Sequence, residues 1–200
     1  MLDCDLGYLA LKTVSLLNRK IRIIGILGKA GSGKGEVARY FVECRGATRV
    51  SIAYPIKRMC QELFQLTEQQ VFGSQKDKET IDPRYGRSPR ELLVALGESG
   101  RRFAGDQIWL DSALHYIKNH HLTTFHNTYV IEDVRMPREV QAIHDEAGFV
   151  IKVERDNRPS IATGGPEDLV DTVHPHYINA TVHNTNSIAH LWAQLRTLHI

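Results

Sequence analysis

A short glycine-rich segment holds the clearest chemical pattern in the chain. Residues 28–34 read GKAGSGK, which matches G-x-x-x-x-G-K. Glycines let successive backbone N–H groups turn inward around phosphate oxygens, and the final lysine adds a positive charge at the outer phosphates. The spacing therefore predicts a loop that binds the phosphates of a nucleoside triphosphate. Its expected contacts are Gly28, Lys29, Ala30, Gly31, Ser32, Gly33, Lys34, Gly35 and Glu36.

The segments on either side of the loop argue against a chance lysine in a glycine-rich turn. Ile21–Leu27 is a continuous apolar run of strand length, which is typical of a buried parallel strand. After the loop, apolar residues recur at helical spacing over Glu36–Cys44. The expected order is strand, loop and helix, and the N-terminus of such a helix attracts phosphate.

The residues after Lys34 depart from the usual pattern. A Ser or Thr hydroxyl normally follows the lysine and holds Mg²⁺, whereas this chain has Gly35 and then Glu36. We expect Mg²⁺ to rest on phosphate oxygens, water and a carboxylate, because this ion commonly keeps several waters. Glu36 is either part of that shell or a solvated acid that the positive end of the helix favours.

A second polar cluster ends another predicted strand. Glu132-Asp133-Val134-Arg135 follows the apolar run Thr128–Ile131. Ligands of open α/β sheets bind outside the carboxyl ends of the strands. Asp133 could hold Mg²⁺ through water there, and Arg135 could donate two parallel hydrogen bonds to a phosphate group. The alternative is a salt-bridged strand end that binds nothing.

Apolar runs and turn residues predict alternating strands and helices, and hence an α/β fold with a parallel sheet. Ser88 is expected to cap a helix, with Glu91 at capping-box spacing, and the polar stretch Leu66–Arg87 is expected to be irregular. The other strands are expected at Arg49–Ala53, Phe149–Val153 and Tyr177–Val182. The other helices are expected at Ile56–Phe64, Ser88–Phe103, Asp106–His121, Pro137–Glu146 and Ser187–Leu198.

Composition limits the classes of partner. The chain has 200 residues, 42% of them hydrophobic and 24% charged, which suits one ordinary globular domain. Its formal charge of +2 is too small to indicate nucleic-acid binding. No apolar stretch approaches the roughly 20 residues that span a bilayer. We therefore expect small-molecule nucleotides as partners, with no nucleic acid and no membrane, and we leave a homodimer open.

Cysteines and histidines give weaker indications. Cys4, Cys44 and Cys60 are dispersed, which favours a reducing compartment. The N-terminus lacks the positively charged start of a secretory signal, so we expect a cytoplasmic protein. The pairs His120-His121 and His174-Pro175-His176 have no further ligand at supporting spacing, and we do not expect a zinc site.

Six segments follow one another in a fixed order along the chain. They are GKAGSGK (28–34), SIAYPIK (51–57), YGRSPRELLVALG (85–97), DQIWLDSAL (106–114), VIEDVRMPREVQAI (130–143) and FVIKVER (149–155). In these segments and their order the chain resembles the deoxynucleoside monophosphate kinases of tailed bacteriophages, and more distantly phosphomevalonate kinase of animals. The resemblance extends over roughly residues 21–195, and the joint order of YGRSPRELL, DQIW and DVRMPRE is its most specific part.

This resemblance implies a fold and a division of the chain. The fold is the three-layer sandwich of the P-loop NTPases, similar to nucleoside monophosphate kinases, with a parallel sheet of about five strands. Residues 1–20 form an N-terminal extension, and residues 21–200 form the kinase domain. Within that domain, residues from about 54 to 121 form a helical region that binds the acceptor, and residues from about 155 to 176 form a lid.

The resemblance also implies roles for particular side chains. Lys34, Asp133, Arg135 and Arg155 belong to the catalytic centre, and Arg158 of the lid contacts the donor. The expected acceptor contacts are Lys57, Arg90, Arg101, Arg102, Trp109 and Arg135. For Trp109 the alternative is a place in the core, and for the lysine and the arginines it is a solvated or structural role.

The implied reaction is transfer of a phosphate group from ATP, with Mg²⁺, to a deoxynucleoside 5′-monophosphate. The expected compartment is the cytoplasm, or the host cytoplasm for a viral protein. Two alternatives stay open from the residues. One is a kinase for another small phosphorylated acceptor, such as phosphomevalonate or dephospho-coenzyme A. The other is a regulatory protein that binds nucleotide and no longer transfers phosphate, because its loop has Gly35 and Glu36.

Overall fold

Five short strands pair as one parallel sheet in the computed structural model, which describes residues 20–124, 126–155, 168–185 and 187–200. The strands are β1 (Arg22–Leu27), β2 (Thr48–Val50), β3 (Thr128–Val134), β4 (Phe149–Glu154) and β5 (Ala180–His183). Their order is β2-β3-β1-β4-β5, with Ile24 of β1 opposite Val130. Because β1 is the central strand and is covered on both faces, its run is apolar without alternation.

In the described part of the chain, α-helices lie between successive strands, except between β4 and β5, and one more helix follows β5. They are α1 (Lys34–Arg45), α2 (Tyr54–Phe64), α3 (Glu68–Phe72), α4 (Gln75–Glu79), α5 (Pro89–Ala104), α6 (Ile108–Thr123), α7 (Pro137–Asp145) and α8 (Ile188–Arg196). Two 3₁₀ turns, Asp168–Thr172 and Pro175–Tyr177, precede β5. Within the described residues, every helix is too short or too polar to cross a membrane.

Helices cover both faces of the sheet. On one face Ile24 and Ile26 of β1 form a buried cluster with residues of α1 and with Leu191 of α8. On the other face a Cβ added to Gly25 would lie 2.7 Å from Cδ1 of Ile143, so the glycine lets α7 approach the sheet closely. This arrangement confirms the predicted three-layer α/β fold with a five-stranded parallel sheet.

The chain divides into two compact units. The first contains Met1–Val50 and Leu114–Ile200 and includes the sheet, and the second is Ser51–Ala113. In the second unit α2 buries Ile56 and Cys60, and Cδ1 of Ile56 lies 3.3 Å from the Cβ position of Gly97 in α5. Residues 1–19, which make up nearly all of the expected extension, lie outside the described residues.

The segment Leu66–Arg87, which was predicted to be irregular, contains α3 and α4. Each of these one-turn helices begins with a capping box, Thr67 with Gln70 and Ser74 with Asp77. These reciprocal hydrogen bonds satisfy N–H groups of the first turn. Five residues are too few to show a periodic apolar pattern, which is why composition alone indicated a loop.

Several boundaries also differ from the predicted ones. Strand β2 ends at Val50 and α2 begins at Tyr54, because Pro55 lies in the first turn of the helix, where its missing N–H costs nothing. Strand β3 continues through Asp133 to Val134. The predicted cap of α5 is confirmed, since the Ser88 side chain accepts a hydrogen bond from the Glu91 N–H and the Glu91 carboxylate accepts one from the Ser88 N–H.

Candidate active site

The glycine-rich loop runs from the end of β1 into the first turn of α1, as predicted. Strand β1 ends at Leu27, and α1 begins at Lys34. Gly31 and Gly33 have φ values of 71° and 106°, which side chains other than glycine rarely adopt. Because Gly33 is the residue that precedes the helix, the turn directs the first N–H groups of α1 outward along its axis. This is the geometry of an anion site.

The side chain of Lys34 reaches across the loop. Its Nζ donates hydrogen bonds to the carbonyl oxygens of Gly28 at 2.6 Å and Lys29 at 2.7 Å. These two hydrogen bonds hold the ammonium group against the loop, beside the N-terminus of α1. A phosphate group at this position would meet both the helix terminus and the lysine.

Asn184, the residue directly after β5, fastens the loop from the side. Its Nδ2 donates a hydrogen bond of 2.9 Å to the carbonyl oxygen of Ser32. A Cβ added to Gly33 would overlap with this same Nδ2. The sequence analysis did not select Asn184. The only signal was a polar residue at the carboxyl end of a strand.

Two of the predicted arginines directly follow the two strands that flank β1, at the end of the sheet where the loop begins. Arg135 comes directly after β3, and Arg155 comes directly after β4. Nη1 of Arg155 lies 3.4 Å from the carbonyl oxygen of Gly31, so the structure brings this arginine to the loop. The buried Glu139 accepts hydrogen bonds from the backbone N–H groups of Arg135 and Met136, which fixes the turn that carries Arg135.

The predicted lid is described only in part. Arg155 and residues 168–176 belong to the described chain, whereas Arg158 lies outside it. Asp171 of the first 3₁₀ turn forms an ion pair with Lys29 of the glycine-rich loop. Lys29 is thus held by a carboxylate from the segment that was assigned to the lid.

The carboxylates near the loop have different surroundings. Glu36 lies 2.5 Å from Nη2 of Arg39, one helical turn further along α1, which matches its interpretation as an acid of the first turn. Asp133 is half-buried one residue before the end of β3, and its neighbour Glu132 forms an ion pair with Arg49 of β2. Among the described residues no group of three or more His, Cys, Asp or Glu is arranged to hold a metal ion.

A magnesium site built mainly from phosphate oxygens and water fits these residues. Gly35 offers no hydroxyl, and Asp133 is a half-buried carboxylate one residue before the end of β3. Mg²⁺ keeps several waters and commonly takes one or two carboxylates together with substrate phosphates. The carboxylate of Asp133 fits a water-mediated contact with Mg²⁺ by its chemistry, and this role stays a prediction.

The predicted acceptor residues lie in the second unit, apart from Arg135. Lys57 has its Nζ 4.9 Å from the centre of the Phe72 ring. Arg90 donates a hydrogen bond to Gln75, and its Nε lies 3.6 Å from a carboxylate oxygen of Glu79. The neighbouring Arg101 and Arg102 lie in the last turn of α5, Arg101 half-buried and Arg102 exposed.

Trp109 is buried and packs against other residues of the second unit. Its side chain is 7% exposed, and its Nε1 donates a hydrogen bond of 2.9 Å to the carbonyl oxygen of Gly97. A Cβ at Gly100 would overlap with its ring. These contacts match the alternative reading of Trp109 as a core residue, and a contact with the acceptor stays a prediction.

Comparisons with known proteins find one close relative among curated sequences. A protein of Acanthamoeba polyphaga mimivirus, described as a "putative deoxynucleotide monophosphate kinase", is 35% identical over 164 residues. These residues make up 76% of this chain and 79% of the viral protein. No family model matches the chain.

Solved structures resemble the chain more distantly. TT1252 from Thermus thermophilus has 17% identity and a TM-score of 0.48, with 89% of this chain and 96% of that chain covered. A shikimate kinase from Acinetobacter baumannii has 14% identity and a TM-score of 0.47, with 89% and 92% covered. A dephospho-CoA kinase from Campylobacter jejuni has 12% identity and a TM-score of 0.44, with 86% and 93% covered.

Proposed function

The chain belongs to the family of the mimivirus protein described as a deoxynucleotide monophosphate kinase, and on that premise we propose that it transfers the terminal phosphate of ATP to a deoxynucleoside 5′-monophosphate. The products are ADP and the deoxynucleoside diphosphate. The observation that supports this most directly is the loop of residues 28–34 at the start of α1, with Lys34 held across it and Arg155 beside it.

The reaction requires positioning and charge neutralisation more than covalent chemistry. The attacking phosphate oxygen of the acceptor is already ionised, so no general base is needed. Lys34, Arg135 and Arg155 would stabilise the charge that spreads over the transferred group, and the N–H groups of the loop would hold the donor. Mg²⁺, when bound, supplies further charge neutralisation, with Asp133 as its water-mediated protein contact. We also assign Arg158 as a contact to the bound ATP.

The acceptor side of the proposal rests on the viral relative and on basic residues of the second unit. We assign the acceptor contacts to Lys57, Arg90, Arg101, Arg102 and Trp109, together with Arg135. The relative comes from a mimivirus, so the predicted bacteriophage origin stays a prediction. A viral relative also supports the host cytoplasm as the site of the reaction.

The decisive experiment measures ADP formation from ATP with a panel of acceptors. The panel contains dAMP, dCMP, dGMP and dTMP, with phosphomevalonate and dephospho-coenzyme A as competing candidates. We expect ADP formation well above the rate with ATP alone for at least one deoxynucleoside monophosphate. Lys34→Ala should lower that rate by about 100- to 1,000-fold, the effect of removing one donor that stabilises transition-state charge.

The matched control is Lys118→Ala, which removes an exposed lysine that pairs with Glu146. It should leave turnover and melting temperature close to those of the wild type. Turnover only with phosphomevalonate or dephospho-coenzyme A would refute the proposed acceptor. ATP binding without transfer to any acceptor would favour a regulatory protein, and near-normal turnover of Lys34→Ala would end the proposal.

A further inference from the structure

An arginine of strand β2 lies next to the loop position where related loops carry a hydroxyl group. Gly35 is the residue after the loop lysine, and it has no side chain. A Cβ at Gly35 would lie 3.7 Å from Nη2 of Arg49, which is ordinary van der Waals distance. Arg49 lies in β2, 14 positions along the chain from Gly35, and no motif pointed to it. The guanidinium group therefore borders the position from which a serine or threonine would project.

Glu132 of β3 holds Arg49 in this position. Its carboxylate forms an ion pair and hydrogen bond with Nη2 of Arg49. In the register of β2 and β3, Arg49 is paired with Val130, so their side chains lie on the same face of the sheet. Val130 belongs to the buried cluster that packs against α1. The pair of Arg49 and Glu132 is thus on the face of the sheet that α1 covers, beside the first turn of that helix.

The chemistry of a guanidinium group leaves donors for a second anion. Arginine has five N–H donors, and the contact with Glu132 engages one terminal nitrogen. The Arg49 side chain is 50% exposed, so other donors are accessible. The adjacent helix terminus favours anions by its dipole and its N–H groups. The negative charge of Glu132 also reduces the repulsion between Arg49 and other cations at the site.

We propose that Arg49 is a donor-binding residue whose guanidinium group contacts phosphate oxygens of the bound triphosphate beside Gly35, where other loops of this type present a hydroxyl group. Glu132 is its positioning residue. This assignment rests on the proposed function, because it takes ATP as the ligand of the loop. It also gives the loop a source of positive charge that does not depend on a divalent cation.

The test is equilibrium binding of ATP to the full chain by isothermal titration calorimetry, both with Mg²⁺ and with EDTA. The variants are Arg49→Ala, Arg49→Lys, Glu132→Gln and the double variant Arg49→Ala/Glu132→Gln. Arg45→Ala is the matched control, because it removes an exposed arginine from the opposite end of α1. Thermal unfolding of each variant checks that the fold is retained.

Loss of a charge-assisted hydrogen bond should weaken ATP binding by roughly ten- to a hundredfold in Arg49→Ala, with and without Mg²⁺. The double variant should lose about the same factor. Glu132→Gln should weaken binding much less than Arg49→Ala, because the amide oxygen of glutamine can still accept the hydrogen bond from Arg49. Arg49→Lys should recover only part of the affinity, because an ammonium group cannot form the planar fork of a guanidinium group.

Two results would overturn the assignment. One is an Arg49→Ala variant that binds ATP as tightly as the Arg45→Ala control. The other is equal weakening by Arg49→Ala and Glu132→Gln together with an equal fall in melting temperature, which would show that the ion pair acts only through the stability of the fold. A wild-type chain that does not bind ATP would instead contradict the proposed function itself.

Discussion

Single residues of the loop are constrained by contacts from distant parts of the chain. Gly33 has a positive φ, and its α-carbon faces the amide group of Asn184. The Asn184 side chain donates to the Ser32 carbonyl oxygen, so one amide group both fills the space beside Gly33 and fixes the loop. A glycine is required at this position for two separate reasons, backbone conformation and space.

Gly33→Ala should therefore destabilise the protein and weaken ATP binding. A left-handed backbone conformation costs a non-glycine residue about 1–2 kcal/mol, and the overlap with Asn184 adds to this cost. We expect a clear fall in the melting temperature and a larger ATP dissociation constant. Thermal unfolding and calorimetric titration are the two measurements.

Gly46→Ala is the matched control for the Gly33 substitution. Gly46 follows α1 with a φ of 64°, and a Cβ there would meet nothing within 4 Å. This control includes the backbone strain without the overlap, and it lies at the end of α1 far from the loop. Equal destabilisation by the two substitutions, with unchanged ATP binding, would show that Asn184 does not constrain Gly33.

At the scale of elements, helix α5 shows how local sequence fixes a boundary. The Ser88 hydroxyl accepts the Glu91 N–H, and the Glu91 carboxylate accepts the Ser88 N–H at 2.7 Å. These bonds satisfy two N–H groups at the start of the helix. The hydrogen bonds from the backbone and side chain of Ser88 hold the pKa of the Glu91 carboxyl below its ordinary value. Arg90 lies in the first turn that this cap fixes.

Ser88→Ala should lower the free energy of unfolding by about 1 kcal/mol, the usual cost of losing a helix cap. The effect should shrink as the pH falls below about 4, because a carboxyl group with a lowered pKa stabilises the fold only while it is ionised. Urea denaturation at several pH values is the measurement. Ser99→Ala is the control in the same helix, since its hydroxyl donates only to the Ala95 carbonyl oxygen. A loss in Ser99→Ala equal to that in Ser88→Ala would contradict the assigned cap.

At the scale of the whole molecule, the fold gives two cysteines different solvent exposure, a difference that the amino-acid composition does not show. Cys44, near the end of α1, is exposed, whereas Cys60 of α2 is fully buried. Burial raises the pKa of the Cys60 thiol to about 11. At pH 8 only roughly one thousandth of such a thiol is the reactive thiolate, in addition to its lack of access.

A chromogenic aromatic disulfide should therefore distinguish the two thiols in a Cys4→Ser variant. We expect Cys44 to react at once at pH 8 and Cys60 to react only when denaturant unfolds the protein. Adding Cys44→Ser should remove the fast phase and leave the slow one. Two fast thiols in the native protein would contradict the burial of Cys60.

The predicted fold followed from patterns that depend on neighbours in the sequence. Apolar patterns or hydrogen bonds over a few residues predict the central strand, the helix that follows the loop, and the cap at Ser88. The short helices α3 and α4 escaped prediction because one helical turn is shorter than the period that reveals a helix. For Trp109, aromatic type alone did not distinguish a contact with a base from a place in the core.

The sequence by itself determined the glycine-rich loop and the alternation of strands and helices, and the family resemblance added predicted roles for Lys34, Arg135 and Arg155. Only the tertiary structure decided which distant side chains meet that loop. Asn184 contacts Ser32 across 152 positions, Arg155 contacts Gly31 across 124, and Arg49 meets Glu132 across 83. The physical reason is the strand order β2-β3-β1-β4-β5, which brings these residues together at the sheet but leaves no trace in local periodicity.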